Sequence, residues 1–159
     1  MKKLKKILLI GLLLAIVVPI GGLFMMNLFS KPPGNLGVTD GQLSACPKSP
    51  NCVSTQTDST AHKHKMEPVP FDGAPAEVVE RLKTVIGSMA RAKITEESEG
   101  YIRAEFTTAI MRYVDDVELL IDDEAKLIHF RSASRVGYSD MGANRKRMTM
   151  LFEAYRALQ

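Results

Sequence analysis

The 159-residue chain has only two cysteines, no acidic residue before Asp40, and no charge at all from Ile7 to Phe29. Each scarcity excludes something. The cysteines stand as Cys46-x5-Cys52, which is neither a C-x-x-C redox motif nor a short zinc knuckle. No glycine-rich phosphate loop, G-x-S-x-G elbow, H-E-x-x-H pair or Rossmann fingerprint occurs, and Ser and His form no recognisable triad. The missing early acids make the net charge of +3 a local property. Four of the 21 cations are Lys2, Lys3, Lys5 and Lys6, which leaves 17 cations against 18 acids from residue 30 onward. That body is nearly neutral. Its one short basic cluster, Arg145-Lys146-Arg147, is a poor match to a nucleic-acid partner.

What is present begins with the leader. Residues 7–29 form an uncharged apolar run long enough to cross a hydrocarbon core of roughly 30 Å. The run is longer than a signal-peptide core and no A-x-A pattern follows it, so it reads as an uncleaved anchor rather than a cleaved signal. The lysines before it place the N-terminus in the cytoplasm and the rest of the chain on the extracytoplasmic, periplasmic side of an inner (plasma) membrane. Leu43-Ser44-Ala45-Cys46 looks like a lipoprotein cleavage box, but it lies past a polar stretch and is not adjacent to the apolar run.

Residues 30–65 read as an extended linker or arm. They are rich in proline and glycine with little periodicity. In an oxidising compartment the two cysteines are expected to pair as a Cys46–Cys52 disulfide. Zinc, with His62 and His64 as further ligands, is the competing and weaker reading; no metal and no cofactor is assigned.

Residues 66–159 read as the soluble domain. Val78, Val79, Leu82, Val85, Ile86 and Met89 fall on one helical face behind Pro75. Alternation then predicts strands over 92–97, 101–107, 113–121 and 126–133. Ile102, Ala104, Phe106, Val117, Leu119, Ile121, Ile128 and Phe130 point inward, and Arg103, Glu105, Asp116, Glu118, His129 and Arg131 point outward. Met148, Leu151, Ala154, Tyr155 and Leu158 predict a closing helix over 142–158. The expected class is α+β: an antiparallel sheet of about four strands with two helices on one face, preceded by a single transmembrane helix. Residues 66–71 can add an edge strand at best.

Four motifs in order carry a resemblance. Cys46-Pro-Lys-Ser-Pro-Asn-Cys-Val-Ser54, Tyr101-Ile-Arg-Ala-Glu-Phe-Thr107, Val114-Asp-Asp-Val-Glu118 and Arg131-Ser-Ala-Ser-Arg-Val-Gly-Tyr-Ser-Asp-Met-Gly-Ala-Asn-Arg145 resemble blocks of the family known as domain of unknown function 1499. The resemblance covers about residues 43–158. It implies a bacterial or plastid-type extracytoplasmic or membrane-associated protein, and no established activity.

The candidate site is drawn from the charged strands and the last motif: Asp115, Asp116, Glu118, Arg131, Ser134, Arg135, Asp140, Asn144 and Arg145. Opposite charges on neighbouring strands can simply pair across a solvated face. They can also line a polar groove, and small residues leading into a helix start beside arginines suit an anion. Asp140 or Ser139 equally suits a helix cap. Asp115 shares the parity of the apolar residues, so it is expected to be partly buried against Arg135 or Arg131. No catalytic residue is assigned.

The expected function is a membrane-anchored binding or scaffold module for a membrane or envelope partner. Its contacts are the lipid bilayer through residues 7–29 and a membrane-protein partner, with no nucleic acid and the oligomeric state open. The alternative is an enzyme or anionic-ligand sensor using the Asp116/Glu118/Arg131/Arg135 surface.

Overall fold

In the computed structural model, residues 2–28, 30–57 and 62–158 are described. Helix α1 spans Lys2–Leu28, with Pro19 inside it. Its stretch Lys2–Gly22 is long and apolar enough to cross a membrane, and none of that stretch is buried within the protein. An arm follows, with a short ribbon of β1 (Val38–Thr39) and β2 (Gln42–Leu43).

The rest of the chain supplies β3 (Cys52–Ser54), β4 (Val69–Pro70), α2 (Pro75–Ser88), β5 (Ala92–Ser98), β6 (Tyr101–Thr107), β7 (Val114–Asp122), β8 (Leu127–Ser134) and α3 (Ala143–Arg156). The long strands form an antiparallel meander, because each turn between them is too short for a crossover. Pro75 at the head of α2 has no N–H to lose there, and the helix buries Val78, Leu82, Val85 and Ile86.

The α+β class holds, but the sheet has six strands rather than four, in the order β3-β8-β7-β6-β5 with β4 also on β8. The additions are β3, beside residues 131–133 of β8, and β4, beside residues 127–128. They are three and two residues long respectively, too short for alternation to announce them. The segment read as linker therefore supplies an edge strand of the sheet.

Both helices lie on one face. Val78, Leu82, Met148, Leu151 and Tyr155 pack with Ile102, Val117, Leu119, Ile128 and Phe130 in a single core cluster. The inward parity is as the alternation dictates. The outward face carries Arg103, Glu105, Asp116, Glu118, His129 and Arg131, and the arm crosses part of it.

Candidate functional site: a cavity between the arm and the sheet

Register decides which charges meet. Glu118 of β7 lies opposite Arg131 of β8 and Arg103 of β6, while Asp116 lies opposite Glu105 and Ala133. Arg131 Nη1 donates to Glu118 Oε2 at 3.1 Å. The other carboxylate oxygen accepts from the Tyr101 hydroxyl at 3.0 Å and from the Gly37 backbone N–H of the arm at 2.8 Å. Burial, with the Glu118 charge adding to it, pushes the Tyr101 phenol well above its usual range.

Arg135, just past β8, grips Asp116 with two nitrogens, Nε at 2.8 Å and Nη2 at 2.7 Å. It also pairs with Glu105, and its Nη1 donates to the Ser30 carbonyl at 3.2 Å. The hydrogen bonds to Asp116 hold the guanidinium even more firmly protonated than usual, against the opposing effect of burial.

These charges are not a solvated face. Glu118 is fully buried, and only 6% of the Arg131 side chain and 5% of the Arg135 side chain are exposed. The arm lies over them, with Gly37 bonded to Glu118 and Ser30 to Arg135. Between arm and sheet remains a cavity of about 390 Å³, walled by Pro33, Asn35, Asn51, Asp116, Arg131 and Arg135 among others. Arg131 has one unusual feature: its buried Nε has no hydrogen-bond partner among the described residues. Buried donors of this kind are rare, because an unmade bond there costs about 1–3 kcal/mol. A larger, open groove of about 770 Å³ lies between the start of α2 and the β5–β6 turn, but it is bordered neither by Arg131 nor by Tyr155, whose hydroxyl is also buried without a partner among the described residues.

The chain matches the family described as "Protein of unknown function (DUF1499)" over residues 42–155. It belongs to this family. No curated protein matches it. In this DUF1499 domain the first matched residues are those of β2 and the Cys46–Cys52 loop, so the part of the arm that carries Ala45, Pro47 and Asn51 at the cavity belongs to the family unit.

The other sequence-derived candidates separate. Ser134 also borders the cavity. Asp115 and Asn144 belong to a second buried cluster on the helix side of the sheet. The expected partner of Asp115 was Arg135 or Arg131; the structure corrects this to Arg147 of α3. The reason is the pleat. Residue 115 points to the helix face, whereas Arg131 and Arg135 serve the arm face. Arg147 also lies over the Phe106 ring at 5.0 Å and donates to Asn144 Oδ1 at 2.6 Å. Asn144 in turn donates to the Asn51 carbonyl at 3.0 Å and to Ser134 Oγ at 3.1 Å.

Asp140 fills the helix start itself. Its carboxylate accepts from the Gly142 N–H at 3.0 Å and the Asn144 N–H at 2.8 Å, so those donors are occupied from within the chain. The residue in the cap position proper is Gly142, at φ +80°. Arg145 points elsewhere, to the carbonyls of Lys63 and Lys65.

Cys46 and Cys52 are joined in a disulfide. The loop it closes presents Asn51, whose side chain donates to the Gly137 carbonyl at 2.7 Å and accepts from Ser49 Oγ at 2.8 Å. His64 is buried against the Cys52 carbonyl at 2.9 Å, and His62 is exposed.

Sequence reasoning missed Gly37, Asn51, Tyr101 and Arg147. Asn51 sits inside the CPKSPNC motif, a signal that was present. Tyr101 likewise opens the YIRAEFT motif. Gly37 and Arg147 had no such signal, because each acts across a fold that alternation alone does not assemble.

Proposed function

We propose that the chain is a membrane-anchored, extracytoplasmic binding module. In this reading α1 spans an inner membrane with the lysines inside, and the disulfide suits the oxidising side. The arm–sheet cavity is the binding site, and its occupant is a membrane or envelope partner that presents an acceptor oxygen. One observation carries this: Arg131, which lines the cavity, keeps a buried Nε donor that has no hydrogen-bond partner among the described residues. An acceptor oxygen seated beside the Arg131 guanidinium would turn that donor toward the cavity and supply the missing hydrogen bond.

Binding is favoured over catalysis by the state of the carboxylates. Asp116, Glu105 and Glu118 are each held by a guanidinium, which leaves none poised as a proton donor or acceptor.

The test is photocrosslinking in the native host from position 47, at the cavity rim. Full-length protein should give a discrete adduct. Ala45→Phe, an exposed rim residue widened to close the mouth, should abolish it while the far-UV spectrum stays unchanged. No adduct from the unmodified chain, or an adduct indifferent to Ala45→Phe, would refute the reading.

A further inference from the structure

The β6–β7 turn and the loop after β8 leave the sheet at the same end. Thr107 pairs with Val114, and Asp115 pairs with Ser134, so residues 108–113 and 135–142 project together. Thr108, Tyr113, Val136 and Met141 share one cleft between them. The three most exposed large apolar residues of the described chain lie here: Met141 at 98%, Ile110 at 84% and Tyr138 at 74%. A soluble domain gains nothing by presenting three such side chains together.

Their neighbours are cationic. Arg91, Arg112 and Lys146 are exposed around the same end, and none of them forms an ion pair among the described residues. The nearby acids are engaged: Asp115 by Arg147, Glu105 by Arg135, and Asp140 by the start of α3. The opposite end of the sheet is different in kind. Its turns expose Glu99, Asp123 and Glu124 and no large apolar side chain.

The apolar helix joins the domain at this same end. Helix α1 stops at Leu28, and the Ser30 carbonyl accepts from Arg135, the first residue after β8. Two residues of chain reach at most about 7 Å. A bilayer holding α1 would therefore meet the domain where Ile110, Tyr138 and Met141 protrude.

We infer that this end of the sheet is a membrane-docking surface. Ile110, Tyr138 and Met141 enter the interfacial layer of the bilayer that holds α1, and Arg91, Arg112 and Lys146 face its headgroups. Tyrosine suits that depth, with its ring in the apolar layer and its hydroxyl in the wet one. Cations add attraction where the lipid is anionic. The inference rests on the reading of α1 as a span. Docking fixes the orientation of the domain, so that the arm–sheet cavity lies beside the membrane surface rather than far from it.

The chain has no tryptophan, so each introduced tryptophan reports alone. Four single-tryptophan full-length variants are reconstituted in vesicles of phosphatidylcholine with a minority of phosphatidylglycerol: Leu13→Trp in α1, Ile110→Trp, Met141→Trp, and Glu124→Trp at the far end. The same vesicles are made with brominated acyl chains. Leu13→Trp should be strongly quenched, which tests the span by itself. Ile110→Trp and Met141→Trp should emit at shorter wavelength in vesicles than in detergent-free buffer containing urea, and lose a large part of their intensity to bromine. Glu124→Trp should remain unquenched. If Leu13→Trp is quenched while positions 110 and 141 behave like position 124, the docking surface is refuted and the span stands. If Leu13→Trp is unquenched, the span reading falls and the docking inference falls with it. All four sites are exposed, so the substitutions leave the core untouched.

Discussion

Gly37 donates its backbone N–H to Glu118 Oε1 across 2.8 Å, and this bond joins a chain segment 81 positions away to the middle of the sheet. Gly37 holds φ +110°, a conformation in which a side chain is strained although the space around it is open. Gly37→Ala should cost about 1–3 kcal/mol locally. Hydrogen exchange should rise over residues 30–45 while β6, β7 and β8 keep their protection. Equal loss of protection in the sheet would show that the arm is not a separate layer.

Glu118→Gln should be far more damaging than its size suggests. It leaves Arg131 buried without its counter-charge, which typically costs about 3–5 kcal/mol. Urea denaturation of the full-length protein in detergent, followed by circular dichroism, measures it. The double variant Glu118→Leu with Arg131→Leu should lose less than Glu118→Gln alone, since no uncompensated charge remains.

Asp115 and Arg147 should show strong coupling. Asp115→Asn or Arg147→Met alone leaves one buried charge unpaired, on the helix side of the sheet. Combined, the two losses should fall short of their sum by about 1–3 kcal/mol in a double-mutant cycle. Strict additivity would mean that Arg147 matters only through its contacts with Phe106, Asn144 and Ser132.

Replacing Cys46 and Cys52 together with serine opens a loop of sequence separation 6. By loop-closure entropy this should lower stability by about 2–3 kcal/mol. The effect should spread to the cavity, because Asn51 and its contacts to Ser134 and Gly137 ride on that loop. Amide exchange at residues 134–137 reads it out.

Acid should weaken the fold through His129. Burial lowers its pKa below the usual 6.5, with Asp122 pulling the other way. The unfolded chain therefore takes up a proton that the native state refuses. Stability from this group is complete above about pH 6.5 and is lost as pH falls toward the lowered native value. His129→Gln should flatten that part of the stability–pH curve.

Much of the architecture was legible before any coordinates. Strands with one apolar parity must bury that face, and the spacing in α2 and α3 leaves each helix a single stripe with which to cover it. The disulfide was legible from two cysteines and the expectation of an oxidising compartment. The site was legible only as a composition. Asp116, Glu118, Arg131 and Arg135 could be read as outward-facing charges, but outward does not mean wet, and alternation carries no information about a segment that folds back from before the sheet.

The sequence by itself determined the apolar N-terminal helix, the α+β class, the inward set and the family. These follow from local hydropathy, periodicity and motif, each read within a few residues. Tertiary structure alone decided that the arm covers part of the charged face, that Asp115 answers to Arg147 rather than Arg135, and that Arg131 Nε is buried without a hydrogen-bond partner among the described residues. These depend on which distant groups compete for the same partner, and that competition is settled only when register and chain path bring them within reach.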